Sequence, residues 1–181
     1  MTPVQHQCHK FLSELLKGHV AIGANVARSV SDSFGHLTSG YAQDPVQILT
    51  EACMASRSRD IIRVKNIRFF SLCEHHLLPF YGTADIIYQP QKKIAGLGKF
   101  PKALEALSLR LQLQESLTQQ LADAIQKVLE PRACAVRLDA FHFCLSMRGA
   151  KERDARMQTL GLRGAWAQDS KEYQNIAKLF G

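Results

Sequence analysis

The sequence predicts an α+β protein whose antiparallel sheet is backed by helices, and three observations carry that expectation. Apolar residues recur at helical spacing through the first 50 or so positions, β-branched and aromatic residues take over from Ile61, and a long helical stripe precedes a returning strand from Ala133. Helices first, hairpin strands next, then a helix and a last strand is an α+β order; an alternating parallel-sheet fold fits it poorly.

Val4, Cys8, Phe11, Leu12, Leu15 and Leu16 mark the first helix, with Thr2 as cap, Pro3 as first residue and Gly18 as terminator. Cys8 falls in that stripe and reads as packed, not as a ligand, despite its place in the run His6, Gln7, Cys8, His9. Val26, Val30, Phe34 and Leu37 outline a second helix that ends before Ser39 and Gly40. Asp44 and Pro45 open a third, whose Val46, Leu49 and Cys53 share a core-facing side.

Strands are expected from Ile61 through Phe70 and from Thr83 to Gln89, after which Pro90 to Lys93 turns the chain into Ile94–Leu97. Leu117, Leu121, Ala124, Ile125 and Val128 form the strongest helical stripe, closed by Pro131. Ala133 to Met147 reads as one long strand. Asp169 and Glu172 suggest a capping box for a last helix carrying Tyr173, Ile176, Ala177 and Phe180. No repeat or linker divides the chain, so residues 1–181 are read as one domain, a helical segment over 1–57 and a core over 58–181.

The 181 residues are enough to bury a core without disulfides or metal as staples, so a metal here is free to be a working part. No apolar run approaches the roughly 20 residues that span a bilayer. The N-terminus shows no basic leader followed by an apolar stretch, and both features point to a cytoplasmic protein without membrane contact. The odd number of cysteines, five, favours thiols or metal ligands over a disulfide framework. A net charge of +7 favours an anionic partner. Nucleic acid is not the expected one, because no basic helix with interleaved aromatics and no finger-like cysteine spacing is present.

Cys73, Glu74, His75 and His76 follow the first strand, and a cysteine with a histidine three residues on closes on a metal from a turn. The second half comes from the expected long strand, where His142 and Cys144 would project from one face about 7 Å apart. Thiolate and imidazole suit Zn²⁺, and three protein ligands, Cys73, His76 and Cys144, leave a fourth position to water, which is the catalytic pattern. His75 and His142 lie beside the ligands without being needed as ligands, and are placed to shuttle protons.

SLCEHHLLPFYG at 71–82, LQLQESLTQQLADAIQ at 111–126, HFCLSMRG at 142–149 and TSGYAQDP at 38–45 together resemble the GTP cyclohydrolase I family over roughly residues 38 to 149. The resemblance implies a tunnelling fold (T-fold), in which sheets of neighbouring subunits join into a barrel, and a homo-oligomer, usually a decamer of two pentameric rings with active sites between subunits. It implies a zinc-dependent hydrolase that opens the imidazole ring of GTP at C8, releases formate and forms 7,8-dihydroneopterin triphosphate. Cys73, His76 and Cys144 would hold zinc, and His75 and His142 would act as acid and base. Gln114 and Glu115 would grip the base, while Lys99, Lys102 and Arg148 would bind phosphates.

The chain departs from the family at the phosphate side. Gly98 stands where the family has serine, Lys102 where it has arginine, and Ser29 and Asp32 where it has two cations. Met157, Gln158, Thr159 and Leu160 replace a Thr-x-Thr-Ser run, with Lys151, Arg153 and Arg156 nearby as candidate replacements. Two alternatives follow: a diverged paralogue with the same chemistry on another purine nucleotide or nucleoside, and a silent nucleotide-binding ring. Keeping both His75 and His142 speaks against the silent ring.

Overall fold

A computed structural model describes residues 1–168, 176 and 178–180. It divides into two compact units, residues 1–39 and 40–181.

The first unit is a pair of helices, α1 (Pro3–Leu16) and α2 (Ala24–Leu37), that pack on each other. Thr2 and Gln5 form a reciprocal capping box: Gln5 N donates to Thr2 Oγ1 at 3.3 Å and Thr2 N donates to Gln5 Oε1 at 3.0 Å. Lys17 and Gly18 both take positive φ and end α1. The apolar stripe that predicts α1 is largely open: Val4, Phe11 and Leu15 are more than 60% exposed, and Cys8 is half-buried.

A 3₁₀ turn over Ser39–Ala42 leads into the second unit, whose first helix is α3 (Pro45–Thr50), capped by Asp44. A short strand β1 (Cys53–Ala55) follows, then the long hairpin β2 (Ile62–Cys73) and β3 (Pro79–Gln89). The strand β4 (Lys93–Ala95) returns antiparallel to β1. Next come α4 (Lys99–Ser108), a short β5 (Leu111–Gln112), α5 (Gln114–Leu129), β6 (Ala133–His142), a helical turn α6 (Phe143–Ser146) and β7 (Arg156–Gly164). The main sheet has the order β5-β2-β3-β6-β7, antiparallel except for the β2–β5 pair.

Alternation along the strands sorts residues between the two faces. Phe69, Phe80, Ile86, Val136 and Leu138 pack with Phe100, Leu104, Leu117, Leu121 and Ile125 of α4 and α5. On the opposite face Ile87, Ala133 and Ala135 meet Trp166, Ile176 and Phe180. Further along that face the sheet is open, and carries Phe70, Tyr81 and Phe141 with Phe143 in ring contact. Gly82 has to lack a side chain, because a Cβ there would lie 1.9 Å from the Asp139 carbonyl oxygen of β6.

A bulge at Lys65 and Asn66 interrupts the β2–β3 register. Asn66 takes φ 61° and donates its N–H to Asp85 Oδ1 at 2.8 Å, and Arg137 Nη2 closes on Asp85 Oδ2 at 2.6 Å. Asp85 is buried, and this pair with the bulge amide supplies its partners.

Several expectations need correction. The strand expected to run from Ala133 to Met147 stops at His142, because its partner β3 begins at Pro79 and the last pair is Phe80 with His142. With no ladder left, the chain curls into α6, and Met147 N bonds to Phe143 O at 2.9 Å. Cys144 is therefore on a helical turn and does not share a strand face with His142. Cys53 is not on α3, which ends at Thr50; it starts β1, pairs with Ala95 and packs half-buried against the core. The helix α4 and the strand β7 were not expected. The predicted capping box at Asp169 and Glu172, with Tyr173 and Ala177, falls outside the described residues.

Candidate metal centre and active site

β2 and β6 flank β3, so their C-terminal ends emerge at the same edge of the sheet, on either side of Pro79 and Phe80. Two turns leave from there. After Cys73 the chain reverses at once: Leu77 N and His76 N bond back to Cys73 O at 2.8 and 3.3 Å, Cys73 N takes Leu78 O at 2.9 Å, and Leu77 adopts φ 55°. This brings His76 Nδ1 to 3.7 Å from Cys73 Sγ. Cys144 arrives from α6 on the far side of β3.

The ligand atoms of Cys73, His76 and Cys144 all lie within 4.8 Å of one another. Two ligands on a tetrahedral zinc, one sulfur at about 2.3 Å and one nitrogen at about 2.0 Å, stand about 3.5 Å apart. The Cys73–His76 separation already matches that edge. Two soft thiols and one imidazole are a zinc donor set, and one short of the four that a closed structural site takes. Burial, and then the neighbouring Cys73 thiol, raises the Cys144 thiol above its ordinary pKa. Metal binding must release those protons, so affinity falls in acid. Among the described residues no other trio of His, Cys, Asp or Glu converges in this way.

His142 stands at the last rung of β6. Its ring stacks on Phe80 at 4.7 Å between centroids and 3° between planes, and its Nε2 lies 2.7 Å from Gln114 Oε1. Burial lowers its pKa, with the Glu115 carboxylate acting in the opposite sense. Glu115 is exposed in the first turn of α5. His75 is exposed beside His76, ring edge to ring face, with centroids 5.9 Å apart.

Gln114 is 1% exposed, and its amide is fully engaged by the protein. Nε2 donates to Met157 O at 2.9 Å, to Leu138 O at 3.3 Å and to Thr159 Oγ1 at 3.1 Å. Thr118 Oγ1 donates to Gln114 O at 2.7 Å and lies 2.6 Å from Thr159 Oγ1.

The expected phosphate ligands are placed differently. Lys99, the first residue of α4, closes on Glu51 Oε2 at 2.6 Å, and exposed Lys102 adds its charge to the same carboxylate. The Lys99 hydrogen bond leads in holding Glu51 below the usual carboxylate range. Arg148 is exposed just past α6, close enough to Cys144 to lower its thiol pKa slightly against the effects that raise it. Of the candidate replacements, Arg156 is held on the open sheet face, its Nε on Asp139 Oδ1 at 2.5 Å, while Lys151 and Arg153 are exposed. Ser29 and Asp32 lie on α2, in the other unit.

Sequence reasoning missed Phe80, Thr118, Thr159 and Glu51 as neighbours of these residues. No local signal could have found them, since each contact except that of Thr118 with Gln114 joins residues more than 40 positions apart.

A profile of the family described as GTP cyclohydrolase I matches residues 15–181. GTP cyclohydrolase 1 of Chlorobaculum tepidum is 42% identical over 152 residues, which are 84% of this chain and 68% of the relative. GTP cyclohydrolase 1 of Campylobacter lari is 42% identical over 142 residues, covering 78% of this chain and 75% of the relative. Among solved structures, the apo form of the archaeosine synthase QueF-Like superposes with a TM-score of 0.51 at 16% identity, over 60% of this chain and 98% of that one. That likeness concerns the fold alone, the antiparallel-rich sheet and helices of the tunnelling fold.

Proposed function

The chain belongs to the GTP cyclohydrolase I family, and we propose that it is a zinc-dependent hydrolase that opens the imidazole ring of GTP at C8, releases formate and yields 7,8-dihydroneopterin triphosphate. The observation that carries this reading is the convergence of Cys73, His76 and Cys144 at one sheet edge, with His142 held on the adjoining rung.

A zinc ion held by Cys73, His76 and Cys144 would supply a Lewis acid and a source of hydroxide near neutral pH. The protein's own residues do the rest. His75 and His142 donate and accept the protons that ring opening and reclosure require. The Glu115 carboxylate accepts from the N1–H and exocyclic amine of guanine, a pairing adenine cannot offer. Lys99, Lys102 and Arg148 neutralise the triphosphate, and Lys99 must leave Glu51 to do so. The working form is a cytoplasmic decamer of two pentameric rings, with sites completed between subunits. The described residues contain no helix long and apolar enough to cross a membrane.

The test is incubation of zinc-loaded protein with GTP, following formate release and the fluorescence of the oxidised pterin, with a chelator-treated control. Metal-dependent formation of both is expected; GTP left intact at high enzyme concentration overturns the reading.

A further inference from the structure

We infer that Gln114 is the positioning residue for His142: it holds the imidazole as the Nε2–H form, so that Nδ1 is the ring atom offered to the substrate. This deepens the proposed function and rests on it for the role of His142.

The orientation of one amide decides which ring nitrogen carries the proton. The oxygen and nitrogen of a glutamine side chain look alike, and only their partners distinguish them. Two of the partners on the Nε2 side are the backbone carbonyl oxygens of Met157 and Leu138, which can only accept. The group facing them must therefore be the NH₂. Thr159 Oγ1 takes the same group, and its own proton is accommodated by the hydroxyl of Thr118. That hydroxyl in turn donates to Gln114 O.

With NH₂ fixed on that side, Oε1 faces His142 Nε2 at 2.7 Å. A carbonyl oxygen cannot donate, so at this distance Nε2 carries the proton, and the neutral ring keeps its lone pair on Nδ1. Phe80, stacked at 3°, stops the ring from turning over. Gln114 is buried and both of its amide protons are taken by protein acceptors, so its side chain has no free donor to offer a purine. Base recognition then falls to its neighbour Glu115, which is exposed.

The same contacts explain a departure from the family. Met157 takes part through its backbone carbonyl, so a methionine side chain there costs the arrangement nothing, whereas Thr159 takes part through its hydroxyl.

Neutron diffraction from deuterated crystals of the zinc-loaded protein reads the proton directly, independent of activity. Deuterium on His142 Nε2 is expected, and deuterium on Nδ1 with Nε2 bare overturns the inference. Kinetics give the second readout. Gln114→Met, of similar length but without the amide, should lower kcat on the order of 10²-fold, as loss of an oriented acid–base group does. Its Kd for 7-deaza-GTP, which lacks the C8–N7 bond and cannot be opened, should be unchanged. Weakened 7-deaza-GTP binding with kcat intact would show that Gln114 grips the base and would overturn the role. Should Gln114→Met fail to fold, replacement of His142 by Nδ1-methylhistidine leaves Gln114 in place: loss of turnover with retained binding is expected, and full turnover contradicts the inference. A wild-type protein that releases no formate would overturn the proposed reaction, leaving the neutron result to judge the ring orientation by itself.

Discussion

The edge of the sheet that carries Cys73, His76, Cys144 and His142 and the side that carries Lys99, Lys102 and Arg148 are built on opposite principles. At the first, strand ends and tight turns fix the positions, the side chains are wholly or partly covered except His76, and His142 is held by Phe80 of β3 and Gln114 of α5. At the second, long flexible cations stand at the surface, and Lys99 is already paired with an acid of its own chain. Chemistry that needs placement to a fraction of an ångström is carried by backbone geometry, whereas charge neutralisation tolerates side chains that swing between partners. Two of the departures from the family, Gly98 and Lys102, fall on this second side.

The sharpest way to break this comparison is at the metal. Cys144→Ala and Cys73→Ala should each lose bound zinc, measured by metal analysis after dialysis, and formate release should fall to background. Either variant keeping stoichiometric metal would show that the convergence is not a ligand set.

Burial also predicts a pH effect. Burial pushes the Cys134 thiol up to about 12 from 9.0. The unfolded chain therefore loses this proton first; the thiol's contribution is fully present below pH 9 and is lost as pH rises from about 9 to about 12, by up to about 4 kcal/mol. Urea unfolding at pH 7, 9 and 10 should show a decline in the wild type that is weaker in Cys134→Ala. Parallel curves would contradict this.

Glu115→Gln should lower kcat/KM for GTP by about 10- to 150-fold, the range of one charge-assisted hydrogen bond of about 1.5–3 kcal/mol. Unchanged steady-state kinetics would remove Glu115 from the base site. On the phosphate side, Lys99→Ala should raise KM for GTP by about tenfold and leave guanosine unaffected. Arg156→Ala should leave KM alone, because its guanidinium belongs to Asp139. An equal rise in both would mean that Arg156 swings in to replace the missing cations. The smallest effect is expected from Gly98→Ser. A Cβ at Gly98 meets nothing within 4 Å and φ is −68°, so melting should shift by no more than a few tenths of a kcal/mol equivalent while KM for GTP falls slightly.

The fold was legible where local pattern and tertiary structure agree. Thr2, Pro3, Asp44, Pro45 and Pro131 mark helix ends by their own backbone chemistry, and they mark them here. The stripe from Leu117 to Val128 is buried as its spacing suggests. The end of β6 was not legible, because it depends on where a different strand begins: Phe143, Leu145 and Met147 look like strand, but β3 starts at Pro79 and its last pair is Phe80 with His142, so they have nothing to pair with. β7 was missed because Arg156 to Gly164 alternates weakly and owes its strand state to β6. At the site, residue types announce Cys73, His76 and Cys144. The engagement of Gln114, the pairing of Lys99 with Glu51 and that of Arg156 with Asp139 depend on contacts across the sheet and between helices, which no local window contains.

The most direct test of the account is a comparison of GTP, GMP and guanosine as substrates of the zinc-loaded protein, read as kcat/KM for formate release. GTP turned over with one formate per pterin formed, and favoured over guanosine, is the predicted result. Formate from guanosine or GMP in preference to GTP would contradict it, since the cations beside Glu51 and α6 would then have no triphosphate to hold.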